Sequence, residues 1–86
     1  MGLTDAELRH LRSHREPGNR LRAARVIAGL TQVAVAQAVG VSQSAISDLE
    51  RMRYSATSVE TAHRFSKFFG CAIEDLFPAQ QQAVAS

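Results

Sequence analysis

Eighty-six residues, 45% of them hydrophobic, are enough for one modestly packed domain, and a core that small makes dimerisation a natural support. No stretch approaches the roughly 20 consecutive apolar residues of a membrane span. No basic start followed by an apolar run and a small-residue cleavage site marks export either, so a cytoplasmic protein is expected. The lone Cys71 excludes an intramolecular disulfide and a cysteine-based zinc site, and a net charge of +2 is too small by itself to name a partner.

The distribution of charge says more than its sum. Arg9, Arg12, Arg15, Arg20, Arg22 and Arg25 face only Asp5, Glu7 and Glu16 in the first thirty residues. Residues 31–50 contain no Lys or Arg, only Asp48 and Glu50. Arg51, Arg53, Arg64 and Lys67 then follow against Glu60. A stretch without basic residues lies between two basic ones, which fits edges that meet phosphates around a centre that reads something more selective; ordinary surface charge is the alternative.

Apolar residues recur at helical spacing throughout, and no stretch alternates like a half-buried strand. Thr4 and Glu7 have the spacing of a capping box and open a helix of about three turns presenting Leu8 and Leu11. Asp5 with Arg9, and Arg12 with Glu16, are spaced to pair along its surface. Glu16-Pro17-Gly18-Asn19 ends it. Asn19 then caps a second helix closed near Ala28 by Gly29, and Thr31 caps a third closed by Gly40. Ser42 caps a fourth, ending near Arg51, and residues 51–55 form a loop. Thr57 and Glu60 have the spacing of a second capping box, opening a helix that runs through Phe65, Phe68 and Phe69 to Gly70. A short helix from Ile73 to Phe77 stops at Pro78, and residues 79–86 form a frayed tail. The expected architecture is all-α: an N-terminal helical extension and linker (1–18), a five-helix domain (19–78) and a flexible C-terminal tail (79–86).

The segment TQVAVAQAVGVSQSAISDLER, residues 31–51, carries the functional signal. Two helices crossing steeply through a short turn need a small residue on the first, supplied by Ala36. They also need positive φ after it, which Gly40 gives without a Cβ clash. Ile46 and Leu49 return the second helix to the core, and Val35, Val39 and Val41 fill the space between. Gln43, Ser44, Ser47 and Asp48 are left pointing outward. A plain αα-hairpin uses the same glycine, so the turn alone does not decide.

At these residues the chain resembles the lambda repressor-like, or Cro/cI-type, helix-turn-helix regulators of the XRE family. The motifs are GLTQ at 29–32, the Ala36 and Gly40 spacing, VSQSAISDLER at 41–51 and FGCAIEDLF at 69–77, in the family's order from Asn19 to Phe77. The resemblance implies a five-helix DNA-binding domain, bacterial or phage-encoded and nucleoid-associated, with residues 31–39 across the backbone and 42–51 in the major groove. It assigns Gln32 to a phosphate beside a helix N-terminus, where the dipole also favours an anion. Gln43, Ser44, Ser47 and Asp48 fall at base-reading positions. A glutamine amide can bond adenine N6 and N7 together, and serine hydroxyls are permissive. Asp48 either accepts from a cytosine amino group or acts as a selectivity device by repelling phosphate. Thr31, Ser42, Arg51, Arg53, Ser55 and Asn19 complete the phosphate-contacting candidates. Arg25 and Glu50 match an internal salt bridge that ties the second helix to the end of the recognition helix.

Two departures stand out. The loop Glu50-Arg51-Met52-Arg53-Tyr54-Ser55-Ala56-Thr57 is one residue longer than the family's and lacks its glycine and proline. Val26, Ile27, Val33 and Ala34 stand where relatives are charged, and the N-terminal helix with Leu3, Leu8 and Leu11 is the nearest candidate to cover them, in its own subunit or across a dimer. His10 and His14 share a face with no third ligand, so no metal or cofactor is expected; Cys71 and the four phenylalanines read as packing residues. The three histidines, single cysteine and acidic pairs make no catalytic arrangement, so an enzyme is not expected. The expected function is a transcriptional regulator, a repressor acting as a homodimer on a palindromic double-stranded DNA operator. The alternative is an antitoxin-type module that neutralises a toxin through its N-terminal helix or tail and autoregulates its operon.

Overall fold

Six helices, with no strand among the described residues, make up the computed structural model, which describes residues 2–14, 19–51 and 57–78. The first, α1 (Asp5–Arg12), starts where the capping box places it: Glu7 N–H donates to Thr4 Oγ1 at 3.1 Å and Thr4 N–H to Glu7 Oε1 at 2.9 Å. It is shorter than three turns. Ser13 closes it, with its N–H shared between the carbonyls of Arg9 and His10, well before Pro17, which lies outside the described residues. Arg12 forks onto a distant partner, Asp75, while Glu16, its expected partner, lies outside the described residues, and Asp5 and Arg9 form no ion pair among the described residues.

Helix α2 (Leu21–Ile27) begins after Arg20, whose side chain makes no cap bond. Asn19, one position earlier, does that work: its Oδ1 accepts from Leu21 N–H at 3.0 Å. Helix α3 (Gln32–Val39) is capped by Thr31, whose hydroxyl accepts from Ala34 N–H, and closed by Gly40 at φ 85°. That left-handed geometry lets the N–H groups of Gly40 and Val41 both reach the Ala36 carbonyl, turning the chain sharply into α4 (Gln43–Arg51). Ser42 Oγ accepts from Ala45 N–H at the start of α4.

Helix α5 (Val59–Phe69) is capped by Ser58, not Thr57. Ser58 Oγ accepts from Thr61 N–H, and the two hydroxyls also bond at 2.9 Å. Glu60 is then free to take Arg64 one turn on, at 2.8 Å, instead of reaching back to a cap. Gly70 ends α5 at φ 66°, and the N-terminal segment runs directly over it: a Cβ there would lie 3.2 Å from Gly2 Cα. Helix α6 (Ile73–Leu76) is a single turn that stops before Phe77.

The core gathers one face of every helix: Leu11, Leu21, Ala24, Val35, Ile46, Phe65, Phe69, Leu76 and Phe77 are all essentially sealed from solvent. Leu11 belongs to this cluster, so α1 is built into the domain rather than appended to it. Leu3 and Leu8 are only half-buried, as are Leu49, Phe68 and Cys71. Burial raises the Cys71 thiol to about 11, so it stays protonated near neutrality.

Candidate nucleic-acid interface

The α3–turn–α4 pair is held from behind by one guanidinium. Arg25, on α2, donates from Nε to Glu50 Oε2 at 2.6 Å and from Nη2 to Oε1 at 3.1 Å. Its Nη1 donates to the Leu30 carbonyl at 2.9 Å. Gln32, at the start of α3, adds its Nε2 to Glu50 Oε1 at 3.2 Å. Four pieces of chain thus meet at one carboxylate and one guanidinium: α2, the turn after it, the first residue of α3 and the end of α4. The Glu50 side chain is 4% exposed and that of Arg25 16%, so the pair is shielded and its geometry is fixed. The bonded carboxylate holds the Arg25 guanidinium above its ordinary pKa against the opposing effect of burial.

Asn19 supplies a second tie. Its Nδ2 donates to the Leu49 carbonyl at 2.8 Å, so one side chain both starts α2 and caps the far end of α4. Asn19 was a candidate for phosphate contact, and both ends of its amide are engaged within the chain.

Against this fixed back, α4 turns its other side to solvent. Gln43, Ser44 and Asp48 are exposed and Ser47 is half-buried. Thr31 and Ser42, both exposed, spend their hydroxyls on the first turns of α3 and α4. Asp48 pairs with Arg51 at 2.7 Å, both side chains being largely exposed. The repulsion a lone Asp48 would present to phosphate is therefore partly offset by the next turn, and Arg51 is held beside the recognition face. Arg53 and Ser55 lie outside the described residues.

The apolar departures are only partly covered. Ile27 and Ala34 are half-buried, but Val26 remains 59% exposed and Val33 44% exposed. Helix α1 packs against α2 yet leaves those two exposed within the chain, and it is tied as well to the α5–α6 end. Leu3 N–H donates to the Phe69 carbonyl at 2.7 Å, and Arg12 forks onto Asp75 at 2.8 and 3.1 Å. His10 and His14 sit edge-to-face with ring centres 5.3 Å apart. Sequence reasoning missed the Arg12–Asp75 fork, because Glu16, four residues on, offered Arg12 a local partner and a separation of 63 residues carries no signal.

A helix anchored through its carboxyl-terminal end, with a small polar face left outward and a glycine-sharp turn behind it, defines a DNA-binding helix-turn-helix module. The chain belongs to the helix-turn-helix family, which it matches over residues 21–76. It is also 39% identical, over 59 residues, to an uncharacterized HTH-type transcriptional regulator of Methanocaldococcus jannaschii, a span covering 69% of this chain and 88% of that relative. No solved structure matches the chain. No helix among the described residues is long and apolar enough to cross a membrane.

Proposed function

We propose that the protein is a sequence-specific regulator of transcription that binds a palindromic double-stranded operator as a homodimer and represses from it. The observation that carries this reading is the outward face of α4. Gln43 and Ser44 are exposed on the first turn of a helix whose last turn is clamped by Arg25 and Glu50. A side chain that must hydrogen-bond a base edge needs such a rigid mount, since a small misplacement forfeits the bond.

In this reading Gln43, Ser44 and Ser47 read bases, with Asp48 tuning selectivity and set in place by Arg51. Gln32, Thr31, Ser42, Arg51, Arg53 and Ser55 meet phosphates. The Gln32 amide keeps capacity for this, because only one of its two N–H donors is taken by Glu50. Residues 19–78 act as the DNA-binding unit, and residues 1–18 modify it. A helix-turn-helix protomer covers only one half-site, so two-fold symmetry in the DNA implies two copies of the chain. The exposed Val26 and Val33 are available to support such pairing.

In vitro selection from randomised duplex DNA, followed by footprinting on the selected site and mass determination of the free protein by light scattering, tests this. The expected result is an enriched inverted repeat, protection of two half-sites about one helical turn apart and a dimer mass. Enrichment of no sequence would refute sequence-specific binding, and a monomer mass with a single protected half-site would refute the homodimer. A reporter gene placed behind the selected site should fall in expression when the protein is present; a rise would make it an activator.

A further inference from the structure

A trough runs from the N-terminal helix to the recognition helix, and nothing in the helix-turn-helix match, which starts at residue 21, accounts for its outer wall. His10 and His14 line that wall, from α1 and the segment just after it. Arg20 and Arg22, from the start of α2, line it too, with Arg20 Nε donating to the His14 carbonyl at 3.2 Å, and Ser47 and Arg51 of α4 complete the lining. Among the described residues that line it, the one carboxylate is Glu50, already forked by Arg25. Arg22 is exposed and makes no ion pair among the described residues, and Arg20 bonds only neutral carbonyls, those of His14 and Asp75. Among the described residues that line it, Arg22 is therefore the cation with no acidic partner, since Arg51 pairs with Asp48 and Arg20 lies near the Asp75 carboxylate, and the imidazoles of His10 and His14 add N–H donors.

We propose that this trough is a second phosphate-binding surface, which takes the backbone of the DNA lying outside the half-site read by α4. The proposal rests on the DNA-binding reading given above and extends it to the N-terminal helix. Charge selects a polyanion, and continuity selects which one: the lining includes Ser47 and Arg51 of α4, so a duplex seated on α4 continues along it. The outer wall is fixed in place by the burial of Leu11 and the Arg12–Asp75 fork, so the imidazole donors are held at a set distance from the arginines. Val26, more than half exposed, lines the trough with Ala23, and deoxyribose carbons can cover it there. In the bound state Arg22 contacts a phosphate directly, and His10 and His14 donate N–H groups to the next one along.

The test uses the full chain and two fluorescein-labelled duplexes that carry the selected site. One ends at the outer edges of the half-sites, and the other extends about one helical turn, roughly 10 base pairs, beyond each. Affinity is measured against salt. For the wild-type protein the longer duplex is expected to bind more tightly, with a log–log salt slope steeper by about 1 per added phosphate contact. Arg22→Ala and the double variant H10A/H14A are expected to lose that gain while matching wild type on the short duplex and in unfolding midpoint. Equal binding of both duplexes by wild type would overturn the proposal, and so would variants that retain the full gain. A loss of the same size on both duplexes would place these residues inside the half-site and overturn the flanking assignment. Failure of the wild-type protein to bind either duplex is a different result: it removes the DNA-binding reading itself.

Discussion

Two forked arginine–carboxylate pairs hold this small molecule together, and they sit in different surroundings. Arg25–Glu50 lies inside the helix-turn-helix, with both side chains shielded and a third donor on the Leu30 carbonyl. Arg12–Asp75 joins the N-terminal helix to α6, with Asp75 buried but the arginine side chain 54% exposed. The first pair is largely shielded from the water that could replace a lost partner. The second has water on one side. Similar bonds should therefore differ in what their removal costs, and the inner pair should govern the fold while the outer one governs only how firmly α1 is seated.

The largest expected effect comes from breaking the inner pair on one side. Glu50→Ala leaves the Arg25 guanidinium shielded and facing only carbonyl and amide dipoles, and removing one partner of a buried pair costs about 3–5 kcal/mol. Thermal unfolding should drop by well over about 10 °C, at about 4–8 °C per kcal/mol for a domain of this size. A double-mutant cycle with Arg25→Ala should show a large non-additive term. Additive losses would mean that the two side chains act separately.

Next comes the apolar anchor of α1. Leu11 is fully buried in the shared core, whereas Leu3 and Leu8 are only half-buried. Leu11→Ala should cost about 2–5 kcal/mol, while Leu8→Ala should cost clearly less. Equal effects in an unfolding titration would show that α1 lies on the surface as a uniform apolar stripe. A smaller change on the other side of the comparison is Gln43→Ala. It should leave stability unchanged and weaken the selected site by about 1–3 kcal/mol, with little loss on random DNA. Equal losses on both DNAs would remove Gln43 from base reading.

The same comparison explains which parts were legible in the sequence. The turn from α3 to α4 is written in local chemistry: Thr31 and Ser42 each satisfy an amide three residues on, and Gly40 alone supplies the left-handed residue between them. Signals confined to three or four residues survive being read one chain at a time. Arg12–Asp75 spans 63 residues and Asn19–Leu49 spans 30, and neither spacing carries any pattern. Where two local signals competed, the reading failed by one position: Thr57 and Ser58 both offer a hydroxyl, and Ser58 takes the cap because Thr61 reinforces it and Glu60 is better used by Arg64. The length of α1 was overread because helical periodicity says nothing about a side chain such as Arg12 being drawn across to another helix. Within one chain α1 leaves Val26 and Val33 exposed for the same reason, because Leu11 and Arg12 tie it toward Asp75.

The smallest expected effect belongs to the outer pair, and it is best seen through pH. The hydrogen bonds from Arg12 hold the Asp75 carboxyl below the ordinary carboxylate range; the Ala72 N–H at 3.0 Å and the nearby Arg12 and Arg20 charges act in the same direction, against desolvation. A carboxyl with a depressed folded-state pKa stabilises the fold above its unfolded value of about 4, and that contribution fades as pH falls through the lower folded value. Arg12→Gln removes the charge and the fork, so it should lower the urea midpoint near neutral pH, modestly because Arg12 is open to solvent. On acidification below about pH 4 the wild-type advantage should shrink as Asp75 takes up its proton, and the two titration curves should converge. A gap that stays constant down to acid pH would mean that Arg12 holds α1 through packing of its aliphatic stem and not through Asp75. The inner pair offers the control for this measurement: Glu50→Gln should lower stability without moving the wild-type and Arg12→Gln curves relative to each other, because the two forks share no residue and lie at opposite ends of α2.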